Sequence, residues 1–481
     1  MRLLFGTGCI ALCMVACGDG APGGGMGVSS SDADPTSSGA PGSSSTTTSA
    51  PSAESSSTTT GAASSEDTGA DTSSSSETGS TGGGPQEFHA GFDITDISPN
   101  DGHLLLNVYM GAYGPPFVRG PAESVHDSVY IRSFAISFGG VGFVAAVADL
   151  PGFGNDFTAD IVARVAENTG LPPEHIMVGA THTHSAPDFM GLWGGGPSEY
   201  RNPVIDEIVG SLSRAWLLRV PATLEVASTT GPNNNRRDWD FTDDSITLLM
   251  ARDEGGDLMG SVGVFAAHPT VLGQSNRAIS RDWCAGYIDT MEGHSGAPAV
   301  LFNGILGDAS VATPPGDFAD GFEASFAYGA LIADIAYEAS GSPDSISPGI
   351  VVDDTTWTMP VENVLFQLAA AIDLLDYSFS DSGDGQSVAA TSTYVRLGEQ
   401  LQFVSFPGEP LTRTGLEIKN MMSTPHQAIL GNTGPAFGYF ILGDEWMTGR
   451  NDDYEETVSL HETAGDLAVE AIMDMVDSDR F

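Results

Sequence analysis

Cysteine is scarce in this sequence, and its placement excludes one common way of stabilising an exported protein. Four of the 481 residues are cysteine, and two of them, Cys9 and Cys13, lie within the first sixteen residues. Only Cys17 and Cys284 lie beyond that segment, so a disulfide framework is excluded. The stability of the folded part must therefore come from a hydrophobic core.

Basic residues are also few. The chain has 17 Lys and Arg residues against 63 Asp and Glu residues, which gives a formal net charge of -46 at pH 7. Such a surface repels the phosphates of nucleic acids and the head groups of anionic membranes, so we expect no nucleic-acid partner. A neutral or cationic substrate suits this charge better.

The sequence begins with an apolar run, Leu3 to Ala16, that is too short to span a bilayer. It follows Arg2 and ends at Cys17, which is the arrangement of an export signal. The four residues "MVAC" resemble the lipobox of bacterial lipoproteins. We therefore expect a lipoprotein signal peptide at 1–16 and a lipidated Cys17 that anchors the exported protein to the bacterial cell envelope or cell surface. An ordinary secretory signal is the alternative.

Residues 17–87 contain almost nothing apolar. The stretch consists mainly of Ser, Thr, Gly, Ala and Pro, as in "SSGAPGSSSTTTSAPSAESSSTTTG". Such a composition cannot offset the entropy cost of ordering the chain, so it predicts a disordered tether. Residues 88–481 carry the hydrophobic runs and are enough for one large domain or two intimate ones. The sequence has no repeat of fixed short period.

The order of strand and helix patterns in the folded part predicts an α/β protein. "VYIRSFAISF" and "VGFVAAVADL" read as strands joined by a hairpin at Gly139-Gly140, and "FTADIVARVAENTG" reads as an amphipathic helix that stops at Gly170. "HIMVGA" then reads as a buried strand. We expect mixed β-sheets with flanking helices, and functional residues at the C-terminal ends of strands.

Polar side chains follow several of these apolar strands. His182 and His184 come after "HIMVGA", His268 ends "SVGVFAAH", and Glu409 follows "LQFVSFPG". Neighbours two apart on an extended segment point the same way, so both histidines of "THTH" can face one pocket. Imidazoles with a carboxylate form the ligand set of catalytic zinc, which lowers the pKa of a bound water toward ~7. Loop or core histidines are the alternative.

Two familiar hydrolase motifs are absent. "HETAG" at His461 begins like the zinc motif H-E-x-x-H but has Gly465 in place of the second histidine. "GHSGA" around Ser295 lacks the closing glycine of a nucleophile elbow and precedes a strand, whereas an elbow connects a strand to a helix. A zinc site, if present, must therefore be assembled from distant parts of the chain.

Six motifs occur in an order that resembles the neutral/alkaline ceramidases. They are "ATHTHSAPD", "NNNRRDWDF", "FAAHPT" with "NRAISRDWCAGY", "GDAS", "FPGE", and "GYFILGDEW" with "DDYEE". The resemblance spans roughly Phe88 to Met475, so we expect a catalytic domain at 88–481 without the family's C-terminal immunoglobulin-like domain. Members of this family are zinc amidases that cleave the N-acyl bond of ceramide to give sphingosine and a fatty acid. The chain departs from the family after "HTHS", where it has "APDFMGLWGGGP" instead of Gly-Pro-Gly.

The resemblance implies a site of eight residues. It assigns the zinc ligands His182, His268, Glu409 and Tyr439, and the catalytic residues His184, Arg236, Ser310 and Tyr454.

Several of these assignments have plain alternatives. Tyr439 can be a packed aromatic residue of a strand, and Tyr454 can belong to an exposed loop. Arg236 can exchange roles with Arg237. Ser310 is either a nucleophile, which needs a base, or a donor that orients the substrate. We expect water to attack, His184 to relay a proton, and Arg236 or Tyr454 to stabilise the oxyanion.

The sequence thus leads to a zinc-dependent amidohydrolase of the ceramidase type, with Zn2+ as cofactor, a lipid or N-acyl amide as substrate, and the membrane reached through lipidated Cys17. A related zinc hydrolase acting on another acyl amide, lactone or ester is the nearest alternative. A surface binding lipoprotein with an inactive site is a third.

Overall fold

The computed structural model describes residues 86–479 apart from 114–118, 238, 373, 382, 384 and 448–453. The predicted signal peptide, the predicted lipidation at Cys17 and the predicted tether up to residue 85 lie outside the described residues. Within the described part, the helices lack the length and apolar character needed to cross a bilayer.

The strands of the described residues, in chain order, are β1 Phe88–Asp96, β2 Ser124–Val125, β3 Tyr130–Phe138, β4 Val141–Ala148, β5 Ile176–Ala180, β6 Val220–Thr230, β7 Asn233–Asn235, β8 Ser245–Arg252, β9 Leu258–Phe265, β10 Ala278–Ile279, β11 Ala299–Asn303, β12 Ala309–Val311, β13 Asp344–Ser345, β14 Ile350–Pro360, β15 Ser380–Asp381, β16 Gln386–Leu397, β17 Leu401–Ser405, β18 Glu409–Pro410, β19 His426–Leu430 and β20 Tyr439–Phe440. The α-helices are α1 Asp101–Leu104, α2 Asn155–Thr169, α3 Ser198–Leu217, α4 Trp283–Ser295, α5 Gly321–Ala339, α6 Val364–Ala371, α7 Thr412–Met421, α8 Tyr454–Thr457 and α9 Ala464–Ser478.

The larger sheet consists of two halves with the same topology. Its main strand order is β11-β9-β8-β6-β1-β3-β4-β5. In the first half, β1, β3 and β4 form an antiparallel meander, and α2 leads to β5, which is parallel to β4. In the second half, β6, β8 and β9 form the meander, and α4 precedes β11, which is parallel to β9. The antiparallel pair β1 and β6 joins the halves.

A smaller sheet, β14-β16-β17-β19, packs face to face with the larger one. Apolar side chains from both sheets form one buried cluster, in which the ring centroids of Phe143 and Phe403 lie 5.6 Å apart. Helices α2 and α3 cover the other face of the first half, α4 and α5 cover the second half, and α6, α7 and α9 cover the smaller sheet. The predicted α/β class with mixed sheets and flanking helices is confirmed.

The hairpin and the helix that the local sequence patterns predict are both present. The turn of the hairpin lies at Gly139 and Gly140, which have φ of 60° and 93°. Helix α2 ends at Gly170 in the left-handed conformation, which a C-terminal glycine accepts without strain. One strand end differs from the prediction. β9 ends at Phe265, three residues before His268.

The two outer strands of the large sheet, β5 and β11, meet at the segment after β19. Its backbone bonds to both, because Ala180 N–H donates to Asn432 O at 3.0 Å and Gly431 N–H donates to Asn303 O at 2.9 Å. The C-terminal ends of β5, β11 and β19 therefore come together. The candidate ligands lie at this junction.

Candidate metal centre

His182 enters the site through a backbone turn rather than along an extended strand. Its φ is 66°, a left-handed conformation that is costly for a residue with a side chain. Its N–H donates to Leu150 O, and its Nδ1 lies 2.6 Å from Pro151 O, which leaves Nε2 directed into the site. The expectation that both histidines of "THTH" face one pocket holds, but the turn at His182 brings them together, not the alternation of a strand.

The other two histidines complete a buried imidazole cluster. His184 Nε2 lies 3.2 Å from His182 Nε2. His268 is held by Ala309, whose carbonyl accepts its backbone N–H at 3.0 Å and lies 3.1 Å from its Nδ1. One nitrogen from each ring belongs to a group in which all such atoms lie within 4.8 Å of one another, and each residue is at least nine-tenths buried.

Glu409 brings a carboxylate to the same point. It lies in β18, which pairs with β20 so that Glu409 is opposite Tyr439. Its Oε1 lies 3.4 Å from His182 Nε2 and its Oε2 lies 3.1 Å from His268 Nε2. The last two atoms are buried and lack a hydrogen bond of acceptable geometry. Buried polar atoms without partners are costly, and three imidazoles with a carboxylate suit a divalent transition metal such as zinc, so the residues fit a cation here.

The pKa values of Glu409, His184 and His268 also suit a bound cation. Burial alone would raise the pKa of Glu409, but His182 and His268 hold it well below its ordinary value. Burial lowers the pKa of His184 well below its ordinary value, and burial together with Arg236 lowers the pKa of His268 to about 4. The pKa of His182 moves the other way: burial lowers it, but the Glu409 carboxylate outweighs burial and raises it. An ionised Glu409 and neutral His184 and His268 are in the protonation states in which these groups bind metals.

Arg236 and Tyr439 form one side of the cluster. Arg236 Nη2 donates to the Tyr439 hydroxyl and to Gly307 O, both at 2.8 Å, and its Nε lies 2.9 Å from Glu455 Oε1. The Tyr439 ring is stacked on His268 with centroids 6.4 Å apart. Tyr439 is thus a buried strand aromatic, as the plain alternative held, and its hydroxyl also belongs to the polar network of the site.

The structure distinguishes the two neighbouring arginines. Arg237 turns away from Tyr439, since its Nη2 donates to Glu456 Oε1 at 2.8 Å and its guanidinium lies over the Trp239 ring. Arg237 therefore forms a structural ion pair, and Arg236 is the arginine of the site.

Ser310 lies beside His268 in the short strand β12. The two residues form an isolated parallel bridge, and the Ser310 hydroxyl lies 3.4 Å from Asn234 O as a donor. Asp308, two residues earlier, accepts the N–H and hydroxyl of Thr412 at 2.7 and 2.6 Å. This carboxylate holds the turn of "GDAS" against the helix that follows Glu409.

Tyr454 lies at the outer rim. It begins α8, is 46% exposed, and its ring centroid lies 6.0 Å from that of Tyr439. The Arg236 guanidinium is 5.9 Å from its ring. All eight residues nominated from the sequence therefore lie in one region, with Tyr454 at its edge.

Two further residues of the site, Asn303 and Asn432, were not predicted from the sequence. The buried Asn303 amide donates to Thr181 O and Ala267 O and accepts the Ala267 N–H, so it joins the residues just before His182 and His268. The Asn432 side chain donates to Pro151 O at 2.9 Å beside His182. The signal for Asn303 was a polar residue at the end of the apolar run "AVLFN".

The arrangement of helices around two packed sheets is also found in solved structures of ceramidases. This chain resembles the neutral ceramidase from Pseudomonas aeruginosa with a TM-score of 0.67, and a ceramidase complexed with C2 with a TM-score of 0.69. In both comparisons the identity is 18%, over 82% of this chain and 75% of the other. The chain therefore has the fold of these ceramidase structures. No protein-family model and no curated protein matches it.

Proposed function

We propose that this protein is a zinc-dependent amidohydrolase that cleaves the N-acyl bond of ceramide or a ceramide-like lipid to a sphingoid base and a fatty acid. The observation that carries the proposal is the convergence of His182, His184, His268 and Glu409 in one buried cluster, on the fold of the ceramidase structures. Tyr439 beside them supplies the fifth polar group.

A zinc ion held by His182, His268, Glu409 and Tyr439 would supply Lewis acidity and an activated water. Protein side chains provide proton transfer and stabilisation of the oxyanion. His184 accepts a proton, because burial keeps its imidazole neutral and its Nε2 faces the cluster. Arg236 presents a cation to the developing oxyanion from the side of Tyr439, with Tyr454 at the rim.

The decisive experiment combines metal analysis with a substrate panel. Purified 88–481 protein is expected to contain about one zinc per chain and to hydrolyse ceramide faster than short N-acyl amides, lactones or esters. Faster turnover of a lactone or ester would assign a different acyl group to the same machinery. A protein with neither bound metal nor turnover would be a binding protein, and the proposal would be wrong.

We predict that Ser310→Ala keeps its zinc and loses about 100-fold to 1000-fold in kcat, because the hydroxyl orients substrate as one oxyanion donor does. The structure supports this role, since the hydroxyl donates to Asn234 O and not to a base. Zinc content and kcat are measured beside those of Ser342→Ala, an exposed serine after α5. Full zinc with a loss as large as that of a ligand variant would instead identify Ser310 as a nucleophile.

We further propose that the exported protein is lipid-anchored through Cys17, an assignment supported by "MVAC" and the polar segment after it. Cys17→Ser is predicted to appear in the soluble exported fraction, while the wild-type protein partitions with membranes. Fractionation with detection of the protein in each fraction measures this. The same distribution for both proteins would contradict lipidation.

A further inference from the structure

The segment that leads to Tyr113 is strained. Among the described residues, Ala112 and Tyr113 are consecutive and have φ of 59° and 63°. The left-handed conformation is unfavourable for residues with a side chain, and it persists only where surrounding contacts impose it. Such strain is concentrated at functional sites.

Arg119 contacts this strained segment. Its Nη1 donates to Gly111 O at 2.8 Å and also to His184 O, and its Nη2 donates to Asn276 O at 2.6 Å. The side chain is 8% exposed, and its guanidinium lies 5.2 Å from the centre of the Tyr113 ring. One buried cation thus ties the strained segment to the backbone of His184.

Tyr113 is thereby placed against the imidazole cluster. Its ring meets that of His184 edge to face with centroids 4.8 Å apart, and its hydroxyl donates to Thr270 O at 3.3 Å. Thr270 lies two residues after His268. The phenol therefore spans the distance between His184 and the turn that follows His268.

His184 differs from the other two histidines in how its ring is held. The Nδ1 atoms of His182 and His268 lie against the carbonyls of Pro151 and Ala309. The Nδ1 of His184 is buried and has no hydrogen-bond partner in the described structure. Its ring contacts the rings of His182, His268 and Tyr113, and Tyr113 and His182 are the nearest of these, with centroids 4.8 Å away.

We propose that Tyr113 is a positioning residue that fixes the plane of the His184 imidazole, and that Arg119 holds Tyr113 in place for this purpose. The inference rests on the proposed function, in which His184 accepts a proton. The aromatic ring matters more than the hydroxyl, because the ring makes the contact with His184, whereas the hydroxyl donates to the carbonyl of Thr270.

The test compares Tyr113→Ala and Tyr113→Phe with wild type. Because a misplaced group costs about 100-fold in rate, Tyr113→Ala is expected to lose about 100-fold in kcat with KM changed by less than about 3-fold. Tyr113→Phe keeps the ring and is expected to stay within about 3-fold of wild type. Both variants should keep their zinc. Tyr337→Ala is the matched control, since Tyr337 stacks on His294 at 4.5 Å on the surface of α4 and α5.

Crystal structures of the two variants supply a readout that does not depend on turnover. The His184 ring is expected to keep its orientation in Tyr113→Phe and to rotate in Tyr113→Ala. An unchanged His184 ring in Tyr113→Ala, or a Phe variant as impaired as the Ala variant, would overturn the inference. If wild type hydrolyses no substrate of the panel, the proposed function fails, and the orientation of His184 alone decides whether Tyr113 positions it.

Discussion

His182→Ala is expected to lose both bound zinc and hydrolysis, with kcat/KM lower by several orders of magnitude. His182 is 6% exposed, and its Nε2 faces both His184 and Glu409. Removal of one of few ligands leaves an incomplete coordination shell around the cation.

Metal analysis and steady-state kinetics on the same preparation measure this prediction. His294→Ala is the matched control, because His294 is an exposed histidine that pairs with Asp334 at 2.7 Å, and its loss should leave zinc and activity unchanged. Full zinc and full activity in His182→Ala would remove the basis for the metal centre.

Arg236→Met is expected to lower kcat by about 1000-fold while zinc remains bound, because the cation beside Tyr439 is an oxyanion donor. The same change leaves the buried carboxylate of Glu455 without its closest cation. We expect a loss of about 2 kcal/mol in the free energy of unfolding, smaller than for a fully buried pair since the Arg236 side chain is 26% exposed.

The pH dependence of that destabilisation has a definite sign. Burial already raises the pKa of Glu455, and Arg236 opposes this rise. In Arg236→Met the pKa of the folded state rises further above that of the unfolded chain, so the penalty is absent at low pH, where both states are protonated. It should grow as the pH rises above the ordinary pKa of a glutamate, about 4. Urea unfolding at several pH values measures it.

The double variant Arg236→Met with Glu455→Gln separates stability from catalysis. The added change removes the buried charge that has lost its closest partner, so most of the lost stability should return and its pH dependence should disappear. Activity should stay low, because the cation is still missing. Recovery of activity together with stability would show that Arg236 supports the fold and does not act on the substrate.

Local pattern was enough to predict much of the fold. The hairpin of β3 and β4 and the cap of α2 at Gly170 depend on residues within a few positions of one another. His268 and Glu409 could be nominated because a titratable side chain after an apolar strand is costly without a partner. The duplicated topology of the large sheet was not predicted. The two halves share an order of strands, and this similarity leaves no short repeat in the sequence.

The finer features of the site depend on contacts between distant residues. Sequence could not choose between Arg236 and Arg237, since the choice depends on Tyr439 and Glu456, about two hundred positions away. It could not place Tyr113 against His184, because that contact needs Arg119 to bridge three segments. It also expected an extended chain at His182, where the backbone instead turns left-handed.

The junction at which β5, β11 and β19 end carries a consequence for cooperativity. His182 follows a strand of the first half, His268 follows a strand of the second, and Glu409 follows a strand of the smaller sheet. A cation bound by all three would act as a cross-link that closes two long chain loops. By thermodynamic linkage, occupancy at about 1000 times Kd would add about 4 kcal/mol to the free energy of unfolding. Chelation should therefore loosen the junction of β5, β11 and β19, with hydrogen exchange rising first around Asn303, whose side-chain amide joins the residues before His182 and His268 there.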